Sequence, residues 1–68
     1  METVFVVRNF TTHEFYGRYK NMVEDITLAK FFKYKSLAQR TANKLTAESL
    51  KDNYIVEEVG LVLLGQIN

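Results

Sequence analysis

The chain of 68 residues contains no cysteine, no proline and no tryptophan. The lack of cysteine excludes disulfides, thiol catalysis and the usual zinc fingers, and it suits a reducing compartment. His13 is the only histidine, and no acidic cluster at metal-ligand spacing accompanies it. We interpret His13 as a solvent-facing turn residue. Because no base, nucleophile or ligand set stands out, we expect a non-enzymatic protein without cofactor or metal.

The chain has two apolar runs, and both are short. The first run stops at Arg8 and lacks the basic start and the length of a signal peptide. The second, residues 60–67, is far shorter than the roughly 18–20 residues that cross a bilayer. We therefore expect a cytoplasmic protein with no membrane partner.

The composition is that of a small globular domain, with 47% hydrophobic and 25% charged residues. A chain of this length forms a single domain, residues 1–68, which buries only about 60% of its unfolded surface. Its stability is marginal for that reason, and we expect reinforcement from elsewhere.

Strand-forming residues occupy both ends of the chain. Residues 4–7 predict a first strand that ends near Arg8 or Asn9, and residues 54–64 predict a long last strand with Gly60 as a possible bulge. Between them we predict turns at residues 9–14 and 24–27 and an extended piece at residues 28–32. Residues 15–20 fit a half-exposed strand, which we favour, or a short helix after the capping-box pattern of Thr11 to Glu14.

Helical spacing follows Ser36, which we predict to cap a helix over residues 37–49. Its buried face carries Ala38, Thr41, Ala42 and Leu45, at i, i+3, i+4 and i+7. We expect Leu37 and Leu50 to seal its two ends. The fold class is α+β in ββαβ order, with an antiparallel sheet of three strands, or four if residues 28–32 pair, and one helix on one face. The first and last strands should be neighbours.

The segment before the helix resembles a pattern in small, mostly uncharacterised proteins of bacteriophages and prophages. The matching positions are Asp25, Ile26, Ala29, Lys30, Phe32, Ser36 and Ala38, and residues 54–59 are similar to the closing strand of those proteins. The resemblance implies the same strand-strand-helix-strand domain and no catalytic residue. Since such proteins often inhibit host enzymes or bacterial defence systems, it also implies the cytoplasm of a bacterial host. This chain differs from the pattern at Tyr34 and Lys35, and these two residues are therefore candidates for a role that is specific to this chain.

Charge is unevenly distributed along the chain. Residues 8–44 carry a net charge of +5 and residues 45–68 a net charge of −3. Aromatic residues are interleaved with the basic ones, so we predict a partner-binding surface at Arg18, Tyr19, Lys20, Lys33, Tyr34 and Lys35. The favoured partner is a bacterial host or defence protein, which this chain would inhibit or redirect. The alternative is nucleic acid, held by phosphate contacts and base stacking on the same surface.

The outer strands are apolar on both faces, whereas one helix can cover only one face of a sheet. Val4 and Val6 point to one side of the first strand and Phe5 and Val7 to the other, and the last strand has Ile55 and Val59 on one side and Val56 on the other. An apolar surface would therefore remain uncovered on the sheet face opposite the helix. We expect a homodimer built on that sheet face or on an edge strand, and this would supply the missing reinforcement.

Overall fold

An antiparallel sheet of four strands and one α-helix make up residues 3–60, the part of the chain that the computed structural model describes. The strands are β1 (Thr3–Asn9), β2 (Phe15–Tyr16), β3 (Met22–Val23) and β4 (Tyr54–Gly60), in the spatial order β3-β2-β1-β4. The helix, α1, spans Lys35–Glu48. The α+β fold and the pairing of the first and last strands are confirmed. Gly60 keeps the register opposite Thr3, and the predicted end of the last strand, residues 61–64, lies outside the described residues.

The helix packs on β1 and β4 through the predicted face. Ala38 and Ala42 are fully buried against Val7 and Phe32, and Leu45 packs beside them. Because alanine has a short side chain, the helix axis can lie close to the sheet. The backbone N–H of Tyr54, at the start of β4, donates to Thr46 Oγ1 at 3.0 Å and ties the last strand to the helix.

The helix begins earlier than Ser36. Its N-cap is Tyr34, whose backbone is extended, and no described side chain caps the first turn. Ser36 already lies inside that turn, so the predicted cap is wrong. The reason is tertiary: the backbone of Phe32 is fixed by two hydrogen bonds of 2.8 Å to Phe5 in β1, which leaves Lys33 and Tyr34 to turn the chain into the helix.

Leu37 and Leu50 do not seal the helix ends. Leu37 is 42% exposed and Leu50 is completely exposed, at 102% of its reference area. After the helix, Ser49 Oγ accepts a hydrogen bond from the N–H of Asp52 at 2.9 Å. The Ser49 side chain thus closes the turn, and Leu50 lies on the outside of the turn.

Residues 15–20 form neither the predicted six-residue strand nor a helix. The strand interpretation holds for Phe15 and Tyr16, and the chain then turns back into β3. The fourth strand is thus Met22–Val23. Residues 28–32 contribute only single bridges, from Ala29 to Gly17 and from Phe32 to Phe5.

The sheet face opposite the helix is covered, in contrast to our prediction. Val6 is fully buried, and Val59 nearly so, beneath Ala29 and Ile26. Ile26 belongs to a 3-10 helix, Ile26–Leu28, which folds over this face. The sequence analysis treated these residues only as a connection, and the expected uncovered face is wrong at Val6 and Val59 for that reason. The homodimer remains a prediction, and the edge strand is the surface that is left for it.

Polar groups on the same face are paired at its margin. Arg8 Nε lies 3.1 Å from Glu57 Oε1 across β1 and β4. The N–H is not directed at the oxygen, so Arg8 Nε makes an ion pair rather than a hydrogen bond.

Candidate binding surface

A tight hairpin between β2 and β3 presents three of the predicted partner residues. The N–H of Gly17 donates to the carbonyl of Asn21 at 2.6 Å, and the N–H of Lys20 donates to the carbonyl of Gly17 at 3.3 Å. Arg18, Tyr19 and Lys20 therefore form a three-residue loop, which we call the hairpin tip. All three are exposed, and Tyr19 is 88% exposed.

Lys20 has an unusual backbone conformation, with φ at +60°. Loops of three residues place a left-handed residue at this position, where glycine is preferred because it has no Cβ. The chain carries lysine there instead. Strain of this kind is concentrated at functional sites. Lys20 is therefore a candidate binding residue, whose side chain serves function although glycine would give a more stable loop.

We expect Lys20→Gly to raise the free energy of unfolding by about 0.5–1 kcal/mol, which is several degrees in Tm for a domain of this size. His13 supplies the matched control. It lies in the turn at the other end of β2 with φ at +67°, and His13→Gly should stabilise by a similar amount. Urea unfolding of both variants measures this. A destabilised Lys20→Gly would mean that the lysine side chain makes a structural contribution.

Beside the hairpin tip lies a groove of about 300 Å³, which we call the Tyr19 groove. It is lined by Arg18, Tyr19, Asn21, Val23 and Leu28. Val23 and Leu28 form an apolar floor, and the Tyr19 ring and the Arg18 guanidinium group lie beside it. Such a groove can accept an apolar side chain and an acidic group of the same partner.

The 3-10 helix positions Arg18. Asp25 Oδ1 accepts hydrogen bonds from the N–H and the hydroxyl of Thr27, at 2.9 and 2.8 Å. The carbonyl of Thr27 in turn lies 3.5 Å from Arg18 Nη2, a long hydrogen bond. The N–H of Thr27, followed by its hydroxyl, lowers the pKa of Asp25. This support of the turn is present above the ordinary pKa of an aspartate and is lost as pH falls through the lowered value.

The other three predicted residues lie at the start of the helix. Tyr34 is the N-cap and Lys35 the first helical residue, while Lys33 Nζ lies 5.8 Å from the centre of the Tyr34 ring. All three are exposed. Lys33 also borders a larger groove of about 410 Å³, which we call the Phe31 groove. Its other lining residues include Lys30, Phe31, Leu37, Arg40 and Thr41.

The six predicted residues do not share one groove. Lys20 reaches a third groove, of about 260 Å³, which is also lined by Thr41 and Lys44. Thr41 lines both this groove and the Phe31 groove, so the two grooves adjoin at the helix. Arg18 and Tyr19 line the Tyr19 groove.

Three exposed apolar residues were not predicted as site residues: Leu28, Phe31 and Leu37. They are 53%, 38% and 42% exposed, and each lines a groove beside a predicted residue. Leu37 gave only a partial signal, because it lies four residues before Thr41, at the margin of the helical face that Ala38 and Ala42 bury. The exposure of Leu28 depends on the 3-10 helix, which the sequence did not predict.

Residues 3–60 contain no cluster of three His, Cys, Asp or Glu side chains that could hold a metal ion. Within the same residues, α1 is neither long nor apolar enough to cross a membrane. Comparisons with protein-family models, with curated proteins and with solved structures found no match to this chain.

Proposed function

We propose that this protein is a non-enzymatic accessory protein of the phage type, which binds a bacterial host or defence protein and inhibits or redirects it. The observation that carries the proposal is the hairpin tip. Its exposed Tyr19 borders the open Tyr19 groove, and Lys20, with its positive φ, borders the third groove beside the helix.

The chemistry of the tip suits a protein interface. Tyrosine and arginine are the residue types that most often dominate binding energy, and they do so beside pockets that exclude water. Here Tyr19 and Arg18 flank the apolar floor formed by Val23 and Leu28. A short hairpin also loses little conformational entropy on binding, which favours affinity.

Lys33, Tyr34 and Lys35 form a second part of the proposed surface and favour an acidic partner. They are exposed at the start of the helix, and Lys30 and Arg40 line the adjacent Phe31 groove. Basic residues at the margin of an interface act mainly on the association rate and on the choice of partner. We therefore expect an acidic target surface with at least one apolar side chain that enters the Tyr19 groove.

The test is a pull-down with the full chain from a nuclease-treated bacterial lysate. We expect one protein in stoichiometric amount, and we expect Tyr19→Ala and the pair Tyr34→Ala with Lys35→Ala each to lose it. Phe10→Ala is the matched control, because Phe10 is 62% exposed but lies in the turn after β1. Recovery that is equal for all variants, or no stoichiometric protein at all, contradicts the proposal.

Nucleic acid is the second candidate, and the run of exposed cations favours it. Arg18, Lys20, Lys30, Lys33, Lys35, Arg40 and Lys44 are all exposed. Binding to phosphates weakens linearly and steeply with log salt, by orders of magnitude between about 50 and 200 mM. A titration of a labelled single-stranded oligonucleotide across that range distinguishes the two candidates. Our proposal predicts that no specific binding remains at about 150 mM salt.

A further inference from the structure

We propose that the Phe31 groove receives the Leu50 turn of a second copy of this chain, so that two helices pair antiparallel about a two-fold axis. The inference concerns the Phe31 groove, which shares Lys33 with the proposed target surface but does not include the hairpin tip, and it does not rest on the proposed target. It rests on two ends of one helix that complement each other.

The first end is basic and apolar. The Phe31 groove exposes the Phe31 ring and the Leu37 side chain between the cations Lys30, Lys33 and Arg40. Apolar surface of this kind is stabilised when it is covered, and the cations select an occupant with acidic groups beside an apolar side chain.

The second end has that composition. Leu50 is the most exposed of the large hydrophobic residues in the described part of the chain, at 102%. Glu48, which is exposed, ends the helix before Leu50, and Asp52 follows Leu50. Lys51 lies between Leu50 and Asp52, so residues 48–52 carry a net charge of −1. Leu50, flanked by the carboxylates of Glu48 and Asp52, is therefore available to fill a groove between cations.

The charges at the helix ends support the same arrangement. Lys35 occupies the first turn and Glu48 the last, and the first turn has no acidic residue and the last turn no basic residue. A helix dipole favours the opposite placement, so each end is unfavourable in a single copy. In an antiparallel pair, each basic end meets the acidic end of the other helix, and the unfavourable placement is offset.

The geometry allows the contact to close on itself. The 14 residues of the helix span about 21 Å, and the midpoint between Leu37 and Leu50 lies near Asn43 and Lys44, in the C-terminal half of the helix. A two-fold axis there brings Leu50 of each copy to the Phe31 groove of the other and places Arg40 opposite Glu48. Such an isologous contact yields a closed dimer rather than a fibre. The two Lys44 side chains lie near the axis and repel each other, which limits the affinity.

Sedimentation equilibrium of the full chain tests the dimer. At about 100 µM chain we expect twice the mass of 7.9 kDa, falling to one copy on dilution. Leu50→Glu and Leu37→Glu should each weaken dimerisation at least about tenfold, since each substitution acts twice in the dimer. Phe10→Glu, at an exposed position in the turn after β1, is the control and should leave the mass unchanged.

A charge exchange tests the pairing itself. Arg40→Glu and Glu48→Lys should each give monomers, whereas the double variant should dimerise again because the two charges have changed places. Folding of every variant is checked by circular dichroism, and both single substitutions suit the helix dipole. A monomeric parent at every concentration overturns the inference. So does a dimer that survives Leu50→Glu, or a double variant that stays monomeric.

Discussion

Ala42→Asp should leave the chain unfolded at room temperature. Ala42 is fully buried between the helix and the sheet, in contact with the cluster of Val7 and Phe32. A carboxylate there loses its hydration without gaining a partner, which costs several kcal/mol, and the larger side chain also strains the packing. The whole free energy of unfolding of a domain of this size is roughly 3–10 kcal/mol.

The neighbouring position provides the control. Asn43 is exposed, and its Oδ1 accepts a hydrogen bond from Gln39 at 2.9 Å, an acceptor role that an aspartate keeps. Asn43→Asp should therefore change the free energy of unfolding by less than about 0.5 kcal/mol. Thermal unfolding followed by circular dichroism measures both variants. A cooperative transition for Ala42→Asp near that of the parent would show that the helix does not bury this face.

Ala29→Asp should have an effect nearly as large, on the other side of the sheet. Ala29 is fully buried against Val6 and Val59 and forms a bridge to Gly17. If the segment after β3 covers this face, a charge at Ala29 destabilises the fold by several kcal/mol. Leu28→Asp is the matched control, because Leu28 is the adjacent residue and is 53% exposed.

Comparison of these two variants tests whether the segment after β3 covers the sheet face opposite the helix. If Ala29→Asp is as stable as Leu28→Asp, the segment after β3 does not cover this face, and the face is exposed to solvent. The original argument for a homodimer on that face would then apply again. Urea unfolding of both variants gives the difference.

The sequence predicted β1 and the buried face of α1. β1 follows from a continuous run of β-branched and aromatic residues, and the helix face follows from period 3.6. The helix start did not, because the backbone bonds between Phe32 and Phe5 override the cap preference of Ser36. The 3-10 helix was missed because three residues are too few to show a period.

The candidate surface was predictable in its chemistry but not in its shape. The interleaving of charge and aromatic residues pointed to Tyr19 and Tyr34, and both are exposed. Which of the predicted residues share a groove depends on the tertiary placement of Leu28 and Thr41. The strain at Lys20 could not be foreseen either, although Gly17 and Asn21 are residues that favour a turn.

The central claim is that the hairpin tip is kept for binding at the expense of stability, and target capture by Lys20→Gly tests it most directly. The experiment compares this variant with the parent and with His13→Gly in the same nuclease-treated lysate, after the stability of each has been measured. We predict that both glycine variants are more stable than the parent. Only Lys20→Gly should capture less target than the parent, by at least about tenfold. Equal capture by the two glycine variants would contradict it.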